Sequence, residues 1–158
     1  MAIVAVISII TGYGLVDSRI KVDSNTLRVV SRRYGPDSYD YGSAKGEFGR
    51  LSFDLDADFT PLFNWNTKQV FVTVNRNAIV LWDKIITDKA HANLTLRNVP
   101  NKYALIDVNR KWSHQQANLS LHWDVTPYVG LLQGGRSETS SANFVLSPAP
   151  VQGRARKA

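Results

Sequence analysis

Two stretches of strict alternation constrain this chain more than any other feature. In "LSFDLDAD", residues 51–58, Leu51, Phe53, Leu55 and Ala57 alternate with Ser52, Asp54, Asp56 and Asp58. In "ANLSLHWDV", residues 117–125, Leu119, Leu121, Trp123 and Val125 alternate with Asn118, Ser120, His122 and Asp124. A period of two puts all the apolar side chains on one face, as in a strand with one side in a core and the other in water. "SRIKVDSNTLRVVSRR", "QVFVTV", "AIVLWDKIIT", "NLTLRNV", "KYALIDV" and "NFVLS" read as further strands. That makes about eight, at roughly ten-residue spacing with polar turns between them, and no long amphipathic helix follows the N-terminus. The pattern predicts an all-β fold, an antiparallel sandwich or barrel.

Finer expectations follow from local chemistry. "QVFVTV" is apolar on both faces and belongs at the centre of a sheet. "YGPDSYDYGSAKGEFG", residues 34–49, and "QGGRSETSS", residues 133–141, read as loops, with Gly46, Gly49, Gly134 and Gly135 as turn glycines. "TPLFNW" suggests one helical turn with Thr60 as N-cap and Pro61 at the first helical position. "NRN", residues 75–77, reads as a turn. Pro148 and Pro150 end regular structure, and the basic tail "VQGRARKA" is expected to be unordered.

The N-terminus is of another kind. "MAIVAVISIITGYGLV" carries no charge before Asp17. As a helix it would reach roughly 24 Å, short of the roughly 30 Å needed for a full span. Three readings stand: a signal-peptide core, a buried strand, or the lumen-side part of a membrane anchor. The first is weakened because no basic residue precedes the segment and Gly12 and Gly14 make a poor cleavage site.

Charge and residue types remove several chemistries. The 158 residues fit one domain with a substantial core. The net charge of +6 is dispersed over Arg32, Arg33, Lys68, Arg97, Arg110, Lys111 and Arg136, and only the tail is dense. This favours solvation over nucleic-acid binding. With no cysteine, a disulfide framework, a Cys-ligated metal and a thiol nucleophile are excluded. "DLDAD" resembles the start of a calcium loop. Counted from Asp54, however, the sixth and twelfth positions are Phe59 and Trp65 in place of Gly and Glu. His91, His114 and His122 fall in no metal spacing. Ser120, His122 and Asp124 make a triad on paper only, since they line one strand face with no pocket or oxyanion donors implied. No P-loop or GxGxxG occurs, so no catalytic, cofactor or metal residue is assigned. Two sequons, at Asn93 and Asn118, fall on the solvent parity of their strands. Trp82 and Trp123 lie within strands and are expected in the core; Trp112 follows Arg110 and Lys111 in a loop.

In order and spacing, "LSFDLDADFTPLFNWNTKQVFVTV", "NAIVLWDKII", "KYALIDV" and "NLSLHWDVTPYVGLL" resemble the lumenal domain of the signal peptidase complex subunit 3 family, the accessory glycoprotein of the endoplasmic reticulum signal peptidase. The resemblance covers residues 18–150 and is most specific in "FNWNTKQVF" and "VLWDKI". It implies a single-pass type II membrane protein. Residues 1–16 would be the lumen-proximal part of the anchor, 17–150 a lumenal β-sandwich and 151–158 a basic flexible tail. The cytosolic segment and first turns of the anchor would lie outside this chain. It implies a non-catalytic role with the catalytic residues in another subunit. The partners would be that subunit, the other subunits of the complex and the membrane, with no nucleic acid, small-molecule substrate or cofactor. The family's glycan position carries over to Asn118, while Asn93 rests on its own sequon.

Two readings of Trp65, Asn66 and Lys68 stay open. Trp65 closes one end of the sandwich while the asparagines bond the turn's own backbone, or the group is a contact patch for the catalytic subunit. Trp82, Asp83 and Lys84 carry the same ambiguity. From the residues alone, a soluble nucleic-acid-binding barrel or a secreted ligand-binding sandwich are the competing functions.

Overall fold

The structure is a computed structural model that describes residues 13–33, 45–76, 79–107 and 116–145. Its strands are β1 (Asp17–Arg33), β2 (Lys45–Asp58), β3 (Thr67–Arg76), β4 (Ile79–Ile86), β5 (Asn93–Pro100), β6 (Leu105–Asp107), β7 (Gln116–Pro127) and β8 (Gln133–Val145). They form two separate four-stranded sheets with antiparallel pairing throughout. One has the order β1-β2-β5, with β6 also paired to β2; the other has the order β4-β3-β7-β8. The all-β expectation holds, and of the two architectures it allowed, this is the sandwich.

Parity decides which side chains enter the core. Leu51, Phe53, Leu55 and Ala57 of β2 are buried, as are Leu119, Leu121 and Val125 of β7. Val70, Val72 and Val74 face them from β3, which sits centrally as its composition predicts. Aromatic pairs bridge the two sheets edge-on: Phe53 of β2 with Trp82 of β4 at 6.1 Å, and Phe59 with Trp123 of β7 at 6.0 Å. Each such pair adds about 0.5–1.5 kcal/mol beyond its buried area.

β4 carries two adjacent buried residues, Leu81 and Trp82, because of a bulge. Val74 pairs with Trp82 and Asn75 with Val80, so Leu81 is the extra residue and is re-aimed inward. Its carbonyl accepts the N–H groups of Lys102 and Tyr103, which seats that bend on the edge of β4.

Several local expectations are corrected. Residues 45–49, read as loop, begin β2; the rest of that segment lies outside the described residues. Residues 133–141 are not a loop but the first part of β8. Gly135 pairs with Trp123, and a Cβ on it would lie 2.7 Å from the indole ring. Gly134 and Gly135 are therefore strand glycines that make room for β7 side chains, not turn glycines. Gly46 and Gly49 likewise lie within β2. Asn75 and Arg76 belong to β3 rather than to a turn, and β6 covers only three residues of "KYALIDV". The helical turn exists as the 3-10 turn Thr60–Leu62, but its cap position is Phe59. Thr60 opens the turn with its N–H held by Asp58 Oδ1 at 2.9 Å. Trp112, His114, Pro148, Pro150 and the tail lie outside the described residues.

The register sorts the sandwich into two ends. Asp17, Asp58, Thr67, Asn93, Pro127 and Gln133 mark one end. Arg33, Lys45, Arg76, Gln116 and Val145 mark the other.

Candidate functional site

At the first end, a short polar sequence builds a self-sufficient turn. Asn64 Oδ1 accepts the N–H of Asn66 at 2.9 Å. The N–H of Asn64 donates to Thr67 Oγ1 at 3.1 Å, and that hydroxyl donates to the carbonyl of Leu62 at 2.7 Å. With the turn closed by these short side chains, Trp65 stands at its tip and is 60% exposed. This corrects the reading of Trp65 as a plug.

Asn66 goes the other way and is 2% exposed. Its Nδ2 donates to the carbonyl of Val129 at 2.7 Å, and its Oδ1 accepts the N–H of Val129 at 3.1 Å. Its carbonyl accepts the N–H of Tyr128 at 2.8 Å. Asn64 thus bonds its own turn, as expected, whereas Asn66 ties in the loop after β7. A third segment joins them. The N–H of Gly14 donates to the carbonyl of Pro61 at 3.2 Å, and a Cβ on Gly14 would lie 2.6 Å from Pro61 Cβ. On either side of Gly14, Tyr13 and Val16 pack against the core.

The three stitched segments, residues 13–16, 60–66 and 127–132, expose Leu15, Trp65, Tyr128, Leu131 and Leu132. Of these only Trp65 is singled out by sequence reasoning. A signal for the others exists: "TPYVGLL" stays apolar after the alternation of β7 has ended, as an exposed hydrophobic loop would. Lys68, also exposed, follows at the start of β3.

The second group of sequence-predicted residues lies elsewhere, midway along the edge strand β4. Trp82 is 6% exposed, with Lys102 Nζ 5.5 Å from its ring centroid. Asp83 Oδ1 accepts the Tyr103 hydroxyl at 2.9 Å and pairs with Lys102 Nζ at 3.2 Å. The Tyr103 hydrogen bond, with Lys102 adding to it, holds the Asp83 carboxyl below its ordinary 3.8. Lys84 is half-buried. The six proposed contact residues therefore do not form one patch. Asn66 and Trp82 are buried within the chain, while Trp65, Lys68, Asp83 and Lys84 reach the surface.

The remaining polar groups are engaged locally. Asp54 Oδ1 accepts the N–H of Asn98 at 2.7 Å, and Asp56 pairs with Arg97 at 2.8 Å. Asp58 is held below its ordinary value by the Thr60 side chain and then its backbone N–H. Ser120 Oγ lies 2.9 Å from His122 Nε2, two residues along the same strand, and Asp124 sits opposite Gly134. Among the described residues, no nucleophile–base–carboxylate set is assembled. Asn93 and Asn118 are both exposed.

The described residues define an antiparallel β-sandwich with an apolar tip at one end. The chain belongs to the signal peptidase subunit family, whose model matches residues 1–147. It is 40% identical over 117 residues to signal peptidase complex subunit 3 of Yarrowia lipolytica, covering 68% of this chain and 62% of that protein. To the protein of the same name from Saccharomyces cerevisiae it is 37% identical over 135 residues, 77% of this chain and 70% of the relative. To that from Homo sapiens it is 32% identical over 124 residues, 72% and 66% respectively. The chain thus spans 62% of the length of the Yarrowia relative.

Proposed function

We propose that this protein is a non-catalytic accessory subunit of the endoplasmic reticulum signal peptidase complex. It supports a separate serine-type catalytic subunit in removing signal peptides from nascent secretory proteins. The match of the signal peptidase subunit family over residues 1–147 carries this reading. In this reading the membrane anchor expected over residues 1–16 ends before Tyr13, because Tyr13 and Val16 pack against the core and Gly14 bonds Pro61, and the sandwich lies in the lumen with a glycan on Asn118. Among the described residues, no helix is long and apolar enough to cross a membrane. The anchor assignment therefore rests on the apolar sequence before Tyr13 and on the family.

The flank offered to a partner subunit is β4. It is an edge strand, Ile79 and Ile85 are exposed on it, and Asp83 and Lys84 lie between them. Affinity purification from detergent-solubilised microsomes, with partners identified by mass, tests the assignment. The catalytic subunit is expected to co-purify, and an Ile85→Arg variant is expected to lose it while unfolding at the same denaturant concentration. Cleavage of a precursor by the purified polypeptide alone would overturn the reading.

A further inference from the structure

The apolar tip has no role in the reading above. Leu15, Trp65, Tyr128, Leu131 and Leu132 are between 60% and 95% exposed. They come from three segments held together by the Gly14–Pro61 and Asn66–Val129 hydrogen bonds. Not one residue of 13–16, 60–66 or 127–132 carries a charge, in a chain that is 20% charged. Charged residues surround them: Asp17, Asp58, Lys68, Asp124 and Arg136 flank the segments in sequence, and exposed Asp88 and Lys89 lie at the same end in the turn between β4 and β5. An uncharged cap rimmed by charge, with Trp and Tyr among its exposed residues, has the composition found where protein meets the headgroup layer of a bilayer.

Chain length identifies the occupant. The uncharged run of residues 1–12 leads directly into Tyr13, and Gly14 is fixed on Pro61. Two residues span at most about 7 Å even when fully extended. The headgroup region on each side of the hydrocarbon core is about 5–7 Å deep. If residues 1–12 are in the bilayer, the Gly14–Pro61 contact cannot stand clear of it. A protein partner on this tip would have to fit between the sandwich and the membrane into which the same chain runs.

We propose that the tip formed by Leu15, Trp65, Tyr128, Leu131 and Leu132 rests in the headgroup layer of the bilayer that holds the anchor. The sandwich is thereby seated on the membrane by its loops as well as by its tether. Trp65 and Tyr128 supply amphipathic rings, Leu131 and Leu132 supply apolar depth, and exposed Lys68 lies at the rim beside lipid phosphate. The proposal rests on the anchor reading given above.

The absence of cysteine makes the test direct. Leu131→Cys and Leu132→Cys replace exposed side chains at the tip, and Ile79→Cys replaces an exposed one at the far end. Each full-length variant is labelled with an environment-sensitive fluorophore and reconstituted into phosphatidylcholine vesicles, with or without lipid spin-labelled near the headgroup. Labels at 131 and 132 are expected to emit blue-shifted light and to lose roughly half of it or more to the shallow quencher, the depth of an interfacial residue. The label at 79 is expected to do neither. Release of the chain by alkaline extraction would overturn the anchor reading and the proposal with it. Water-like, unquenched emission at 131 and 132 in a chain that resists extraction would overturn the proposal alone. A blue shift seen only when the other subunits are present, and untouched by lipid quencher, would overturn it in favour of a protein contact.

Discussion

The side-chain amide of Asn66 bonds the backbone of Val129 twice from a buried position, so its loss leaves a donor and an acceptor unpaired. Leaving one such group unsatisfied costs about 1–3 kcal/mol. Asn66→Ala is expected to lower the unfolding free energy by that order in urea titration, and Trp65→Ser to change it by less than about 0.5 kcal/mol, as surface changes do. The sequence made "NWN" legible as a turn. It misleads about which residue is buried, because a tryptophan's size argues for the interior and an asparagine's polarity for the surface. The deciding partner, Val129, lies 63 residues away and falls outside any local window. Asp83 supplies a pH test. Because its folded value lies below 3.8, its contribution to stability is complete above 3.8 and is lost as pH falls through the folded value. Tyr103→Phe removes the largest cause. Carboxyl NMR is expected to show Asp83 titrating closer to 3.8, with a correspondingly smaller fall in stability on acidification.

Among the strands, β2 and β7 are legible over most of their length because one face is in water and the other in the core, so polarity reports parity. β8 is hidden for the opposite reason. Its opening stretch holds Gly135 because Trp123 of β7 lies across that position and supplies the apolar volume from the neighbouring strand. A methyl group at Gly135 meets rigid indole atoms at 2.7 Å, whereas one at Gly134 meets the carboxylate of Asp124, the end of a movable side chain. Gly135→Ala is therefore expected to destabilise by about 1–3 kcal/mol, the usual cost of overpacking, and Gly134→Ala by distinctly less in the same denaturant titration. The start of β2 is illegible in the sequence, since Gly46 and Gly49 read as punctuation while lying inside a paired strand.

For the whole molecule, the sequons fall at opposite ends of the sandwich. Asn118 lies near the start of β7, opposite Asn143 and far from the apolar tip. Asn93 begins β5 opposite Asp58, at the same end as the tip. If that end faces the bilayer, Asn118 is the sequon open to glycosylation and Asn93 is crowded by lipid. Asn118→Gln is then expected to abolish the endoglycosidase-sensitive shift on a gel, and Asn93→Gln to leave it intact. The contact between Gly14 and Pro61 has a wider consequence. A domain hung on several loose residues would swing like a flag and sample many heights above its support. If residues 1–12 are the anchor proposed above, the strap is pinned at its root by Gly14 on Pro61, and the sandwich is expected to behave as a post with a set lean, holding anything bolted to its flank at a constant elevation.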